Sequence, residues 1–312
     1  MYAIIPDIHG DFGRLEATLE KAGFQRDADD RWFHPSSTKA VFLGDFIDGG
    51  NENRKVIQTV RSMMVDKVAV AIMGNHELNA ILYHTPRSDG EGWLRDRSQK
   101  NTDQHESFLH EYAANEDHDF APPRDGELAD VIGWFKSLPL YIEFDYFRVV
   151  HAQWDDDAVR AVDALNNQAL LPHDQIDSLR NIKSGIGFST ERLLKGMEIK
   201  LPPNVSFLDY RKVSRNEMRV KWWTEGDRTY RNLALSVQDP SVLPDDLVPH
   251  GDDLFNFQRV GKPVFVGHYK MRGTPSLGSD RAALCLDYPK TPCFYHWKKG
   301  DTEIREDQIV LV

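Results

Sequence analysis

Apolar residues in this chain fall into short continuous runs, separated by stretches in which they recur at helical spacing. Tyr2-Ala3-Ile4-Ile5, Ala40-Val41-Phe42-Leu43 and Val68-Ala69-Val70-Ala71-Ile72-Met73 are near-continuous runs that read as strands buried on both faces. Over residues 11–23, Leu15, Leu19 and Ala22 share one helical face, with Asp11 placed to cap the free N–H groups and Gly23 at the end. Residues 25–38 are polar and predict a turn or short hairpin around Trp32-Phe33. Val56, Ile57, Val60, Met63 and Met64 mark a second helix, and Leu78, Ile81 and Leu82 a third. Strand, helix, strand, helix, strand in that order predicts right-handed crossovers and a largely parallel sheet. Phe147-Arg148-Val149-Val150 and Val264-Phe265-Val266 repeat the strand pattern later, and alternation at 283–286 and 294–297 predicts closing antiparallel strands.

Composition narrows the class without naming it. A chain of 312 residues with 40% hydrophobic and 28% charged content can bury a sizeable core as one large α/β domain or two small ones. No apolar run approaches the ~18 residues of a membrane span, so no membrane partner is expected. The first residues enter a strand with no basic-then-apolar leader, and the default location is cytoplasmic. Cys285 and Cys293 form no disulfide framework and read as buried thiols. A formal net charge of −11 argues against general nucleic-acid binding. It leaves an anionic substrate open, because bound divalent cations can reverse a local field.

The chemistry stands at the ends of the strands. The first three runs end in Asp7-Ile8-His9-Gly10, Gly44-Asp45-Phe46-Ile47-Asp48 and Gly74-Asn75-His76-Glu77. The later two end in His151 and Gly267-His268. One Asp-x-His at a strand end is most often a turn with a satisfied histidine. Five such ends in order are not, and ligands in open α/β sheets bind outside the carboxyl ends of strands. Carboxylate, amide oxygen and imidazole together suit divalent ions such as Mn²⁺, Fe²⁺ or Zn²⁺, and the lack of thiolates disfavours a structural zinc site.

These residues resemble the motif series of the calcineurin-like metallophosphoesterases. Within them the likeness is to the phosphoprotein-phosphatase branch, with its bacterial diadenosine tetraphosphatase and PrpE-like relatives. The resemblance implies an α/β fold, a four-layer α/β/β/α sandwich of two mixed sheets with flanking helices. It implies one domain over 1–312 with insertions at about 83–140 and 155–250, and two divalent metal ions, Mn first, with Fe, Zn, Mg or Ni as alternatives. Carried over by motif, Asp7 and His9 would hold the first ion, Asp45 would bridge, and Asn75, His151 and His268 would complete the second. His76 would protonate the leaving oxygen and Asp48 would orient it, while a hydroxide shared by the ions attacks phosphorus. The activity implied is hydrolysis of a phosphomonoester on a phosphoprotein, nucleotide or small molecule. The alternatives are hydrolysis of dinucleoside polyphosphates and a catalytically impaired phosphate-binding protein.

Two departures bear on substrate. The family's Arg after Asp48 is Gly49, and Met73 stands where protein phosphatases commonly have Arg, which weakens the expectation of protein phosphatase specificity. Arg54, Lys270 and Arg272 are the replacement candidates by motif position. The 83–140 stretch, with Trp93, Phe108, Tyr112, Trp134 and Phe135 as packing points, reads equally as a lid or as a plain extension. His105 and His110 within it lie five apart, roughly 140° around a helix, so they do not form a zinc-protease pair. Asp155-Asp156-Asp157 reads as a helix cap or solvated run. The basic stretch 211–231 around Trp222-Trp223 reads either as a hairpin with solvated charges or as a rim that binds phosphate or stacks a base.

Overall fold

Alternation along the strands decides the layering of the molecule. The computed structural model describes residues 1–112, 126–166, 171, 173–209, 212–224, 226–249, 261–278 and 281–312. The first half runs β1 (Tyr2–Ile5), α1 (Phe12–Lys21), β2 (Gln25–Arg26), β3 (Trp32–Phe33), β4 (Lys39–Phe42), α2 (Asn53–Val65), β5 (Ala69–Ala71) and α3 (Asn75–Tyr83). Next come α4 (Gln99–Tyr112), α5 (Gly126–Ser137), β6 (Tyr141–Glu143), β7 (Arg148–Val150), α6 (Asp156–Asn166), α7 (Gly185–Lys195) and β8 (Glu198–Lys200). The chain continues through β9 (Phe207–Leu208), β10 (Ser214–Arg215), β11 (Glu217–Val220), α8 (Tyr230–Leu233) and β12 (Ala234–Leu235). It closes with β13 (Val264–Val266), β14 (Ala283–Cys285), β15 (Cys293–Trp297) and β16 (Ile309–Leu311).

Two sheets carry the fold. The first has the order β16-β15-β1-β4-β5, with β1, β4 and β5 parallel and β15 antiparallel to β1. The second has the order β14-β13-β7-β6, with β6 antiparallel to β7 and the other pairs parallel. Ile4, Val41 and Tyr295 of the first sheet, with Leu43 and Ile72 at its strand ends, share one apolar cluster with Val149, Phe265 and Leu284 of the second, so this cluster lies between the sheets. Their neighbours Ala3, Ile5, Phe42 and Ala71 point the other way, onto Leu15 and Leu19 of α1 and Val56 and Val60 of α2. Val264 and Val266 likewise face outward, into the cluster that holds Ala158, Val162, Leu193 and Leu194 of α6 and α7. Period-two alternation between two apolar surfaces is what a strand between two layers requires, and the result is the four-layer α/β/β/α sandwich.

Local chemistry sets the element ends much as the sequence suggests. The Asp11 carboxylate accepts from the Arg14 N–H at 2.9 Å and caps α1, and the Asp155 carboxylate accepts from the Asp157 and Ala158 N–H groups at the start of α6. One expectation fails: 283–286 was to close an antiparallel pair, yet β14 runs parallel to β13. The connection 267–282 is long enough for a crossover, which a parallel neighbour needs and a hairpin does not. Among the described residues no helix is long and apolar enough to cross a membrane.

Candidate active site

Five strand ends converge, and the backbone there is held in unusual conformations. His9, Asp45, Asp48, His268 and Lys270 have φ of 55°, 53°, 68°, 68° and 47°, and all five line one pocket of about 470 Å³. Each such residue costs of order 1–3 kcal/mol, so the surrounding contacts must enforce it. Two glycines permit the approach. A Cβ on Gly74 would stand 2.2 Å from Asp45 Oδ1, and one on Gly267 would stand 2.0 Å from Asp7 Oδ1. Glu77, fully buried, ties the end of β4 to the start of α3: it accepts from the N–H groups of Asp45, Phe46 and Gly74 at 2.8–2.9 Å. Burial, with Asp45 beside it, pushes this carboxyl up to about 7.

The donor atoms gather into two sets that share Asp45. His9 Nε2 lies 3.9 Å from Asp7 Oδ2 and 3.8 Å from Asp45 Oδ2. On the other side His151 Nε2 lies 3.4 Å from Asp45 Oδ1 and 3.1 Å from Asn75 Oδ1, and His268 Nδ1 lies 2.7 Å from the same amide oxygen. The Leu43 carbonyl accepts from His151 Nδ1 at 2.7 Å, which orients the ring with Nε2 turned toward the cluster. Two compact groups of acidic and imidazole donors stand out, His9–Asp45–His76 and Asp7–Asp45–His151. His9 Nε2 and His268 Nε2 are buried with no hydrogen-bond partner among the described residues. Orphaned imidazole nitrogens among buried carboxylates are the donor set that a pair of divalent ions would satisfy. The motif residues are thus brought together, with His76 rather than Asp7 in the first compact group.

Electrostatics within the cluster are strongly coupled. Burial, together with Asp287 and Asp45, pushes the Asp7 carboxyl well above the usual carboxylate range. Burial would raise Asp45 too, but the charges of His151 and His76 hold it well below that range. His76 Nδ1 donates to Asp48 Oδ2 at 2.7 Å, and its Nε2 faces the pocket 3.8 Å from Asp45 Oδ2. Burial works against a protonated His76, yet Asp45 and Asp48 lift it to about 9. The other Asp48 oxygen accepts from His105 Nδ1 at 2.8 Å, a contact that no motif marks.

Three cations line the pocket, and two of them are not the expected ones. Arg95, Arg219 and Lys270 reach it; Arg54 and Arg272 do not. Arg54 pairs with Glu127 at 3.1 Å, donates to the Glu111 carbonyl and lies over the Tyr112 ring, because the start of α2 packs against α4. Arg272 is exposed outside the pocket. Arg95 enters from the 83–140 stretch, its Nη2 donating to Asn101 Oδ1 at 3.1 Å and to Gln104 Oε1 at 2.9 Å. Arg219 is the one member of the basic 211–231 stretch that lines the pocket, and Arg211 lies outside the described residues. Trp222 and Trp223 are buried, the former donating to the Ala152 carbonyl, so this pair stacks no base. Only the charge pattern in 211–231 pointed toward Arg219; nothing local signalled Arg95 or His105.

A profile of the calcineurin-like phosphoesterases matches residues 2–268. The chain belongs to this family. Members of the family use a dinuclear divalent metal centre. The asymmetrical bis(5'-nucleosyl)-tetraphosphatase PrpE of Anoxybacillus flavithermus is 38% identical over 76 residues, 24% of this chain and 31% of that protein. A symmetrical bis(5'-nucleosyl)-tetraphosphatase of Aromatoleum aromaticum is 26% identical over 182 residues, 57% of this chain and 54% of that one. The phosphoesterase thus spans about a third to a half of the length of these relatives. A serine/threonine phosphatase structure from Saccharomyces cerevisiae aligns over 100% of this chain and 78% of its own, at 13% identity and a TM-score of 0.49.

Proposed function

We propose that this phosphoesterase hydrolyses phosphomonoesters with two divalent ions, Mn²⁺ first, and Fe, Zn, Mg or Ni as alternatives. The observation that carries the reading is one carboxylate, Asp45, placed between two donor sets, with His76 Nε2 turned toward the same space. Asp7, His9 and Asp45 would hold one ion, and Asp45, Asn75, His151 and His268 the other. Bound there, two divalent ions supply Lewis-acid polarisation of the phosphoryl oxygens. Arg95, Arg219 and Lys270 line the pocket and would bind those oxygens by charge-assisted hydrogen bonds. No Ser, Thr or Cys among the described residues lines it, which favours direct transfer of the phosphoryl group to water. As the phosphorus–oxygen bond breaks, its electron pair goes to the leaving oxygen and His76 Nε2 delivers the proton, while Asp48 keeps hold of Nδ1.

The second reading is hydrolysis of a dinucleoside polyphosphate. Three pocket cations exceed what one phosphate dianion needs, and relatives carry the tetraphosphatase name. Against it, no Trp, Tyr or Phe among the described residues lines the pocket to stack a base. Incubation of the purified chain with Mn²⁺ and a phosphopeptide, p-nitrophenyl phosphate or diadenosine tetraphosphate decides between them. Metal-dependent phosphate release from the monoesters is expected, with Asp45→Asn losing bound ions and activity together. Preferred cleavage of the tetraphosphate would select the second reading. Phosphate binding without turnover on any substrate would leave only a binding protein, and two ions still bound to Asp45→Ala would remove the shared role of Asp45.

A further inference from the structure

We propose that His105 is a positioning residue for the acid, holding one oxygen of Asp48 so that the other stays on His76; this rests on the reading of His76 just given. His105 is 1% exposed and its Nδ1 lies 2.8 Å from Asp48 Oδ1, while His76 Nδ1 lies 2.7 Å from Asp48 Oδ2. One carboxylate therefore spans two imidazoles, and each oxygen has one. Asp48 is itself 4% exposed, so an oxygen released by His105 on its buried side would lose its donor and the carboxylate would turn to satisfy it.

The tautomer follows from the neighbours. His105 Nε2 lies 3.3 Å from His84 Nε2. With a neutral His105 that donates its Nδ1–H to Asp48, Nε2 carries the lone pair and His84 Nε2–H is the donor. His84 Nδ1 then keeps its lone pair, in accord with its lack of any partner. The line His84, His105, Asp48, His76 runs from the interior to the pocket.

The same helix grips the rest of the Asp48 segment. Ser107 Oγ accepts from the Gly49 N–H at 3.1 Å, and Glu111 accepts from the Asn53 and Arg54 N–H groups, each at 2.7 Å. Asn53 Oδ1 in turn accepts from the Asp48 N–H at 2.8 Å. Thus α4 holds residues 48–54 through His105, Ser107 and Glu111, at a position where Gly49 replaces the arginine of the motif. A plain extension would pack its apolar face on the core and leave this polar segment to solvent.

Leaving-group dependence tests the role, with His76→Asn as the reference. In His105→Leu, kcat on an alkyl phosphate should fall roughly 10–100-fold, within the range of a displaced general acid. On p-nitrophenyl phosphate, whose leaving group departs without a proton, it should change little. KM and bound metal should stay as in the parent. His105→Asn, whose amide N–H sits near the Nδ1 position, should restore most of the loss. An equal loss on both substrates in His105→Leu, or no recovery in a folded His105→Asn, would overturn the proposal while leaving His76 as the acid. A His76→Asn protein with no leaving-group dependence would remove the acid reading and this inference with it. ¹⁵N-histidine NMR of the metal-free parent chain needs no variant. His105 should show a protonated Nδ1 and a lone-pair Nε2, and the opposite tautomer would overturn the assignment.

Discussion

At Arg95 the guanidinium reaches the pocket with amide oxygens from Asn101 and Gln104 as its partners. Its charge is unneutralised by them, whereas Arg219 shares its own with Glu198 at 3.6 Å. A hydrogen bond to a charged group contributes about 1.5–3 kcal/mol, so Arg95→Ala should lower kcat/KM roughly 10–100-fold, mainly through KM, and Arg219→Ala somewhat less. Arg54→Ala should match the parent enzyme, since that side chain serves the packing of α2 on α4. Steady-state kinetics on one phosphomonoester compare the three; equal behaviour of the Arg95 and Arg54 variants would remove Arg95 from substrate binding. His84 gives a pH expectation at the same scale. Burial above all, with the Arg97 charge nearby, lowers it from 6.5 to about 3. Unfolding restores its ordinary value, so below pH about 6.5 the unfolded chain takes up a proton that the folded chain refuses. Its stabilising share is complete above that pH and is lost as pH falls, by at most ~1.4 kcal/mol per pH unit. Urea melts at pH 7 and 5.5 should therefore show a larger drop for the parent than for His84→Leu, and parallel drops would contradict it.

Elements here are joined through buried polar groups more than through surface pairs. Glu77 connects the end of β4 with the first turn of α3 through three backbone N–H groups, at zero exposure. Each buried N–H left without a partner costs about 1–3 kcal/mol, so Glu77→Ala should lose ~3 kcal/mol or more. Its effect should not stop at stability. The N–H groups of Asp45 and Gly74 that it anchors set where Asp45 and Asn75 point, so the ions held by the folded variant should fall below those of the parent. Denaturant melts and elemental analysis read the two separately, and a Glu77→Ala chain that is destabilised yet fully metallated would confine Glu77 to stability. Surface pairs such as Lys55–Glu52 and Arg160–Asp157 should matter far less, since water and salt screen exposed ion pairs.

Across the whole molecule, the cluster holds Asp7, Asp45 and Asp287 at 2% exposure or less, with orphaned imidazole nitrogens of His9 and His268 at the strand ends. Divalent cations bound there would relieve that repulsion in the folded chain alone, so Mn²⁺ at about 100 times its Kd should add ~2.7 kcal/mol and raise Tm by several degrees. EDTA should reverse the shift and Asp45→Asn should abolish most of it; a Tm indifferent to Mn²⁺ would speak against ions at this site. The sequence by itself determined the strands and helices of residues 1–83, the later strands near 148–150, 264–266, 283–286 and 294–297, and which polar residues stand at strand ends, because all depend on local period and on the turn next to each strand. His9, Asp45, Asn75, His151 and His268 could be picked out that way. It did not determine that β14 runs parallel to β13, since alternation is the same in either direction. Nor could it tell that Trp222 and Trp223 face the core while Arg219, close to them in sequence, faces the pocket. Arg95 and His105 reach the site only because α4 packs over the Asp48 segment, 57 residues away along the chain for His105. Such pairings are decided by which apolar faces meet, and that is settled only when the layers close.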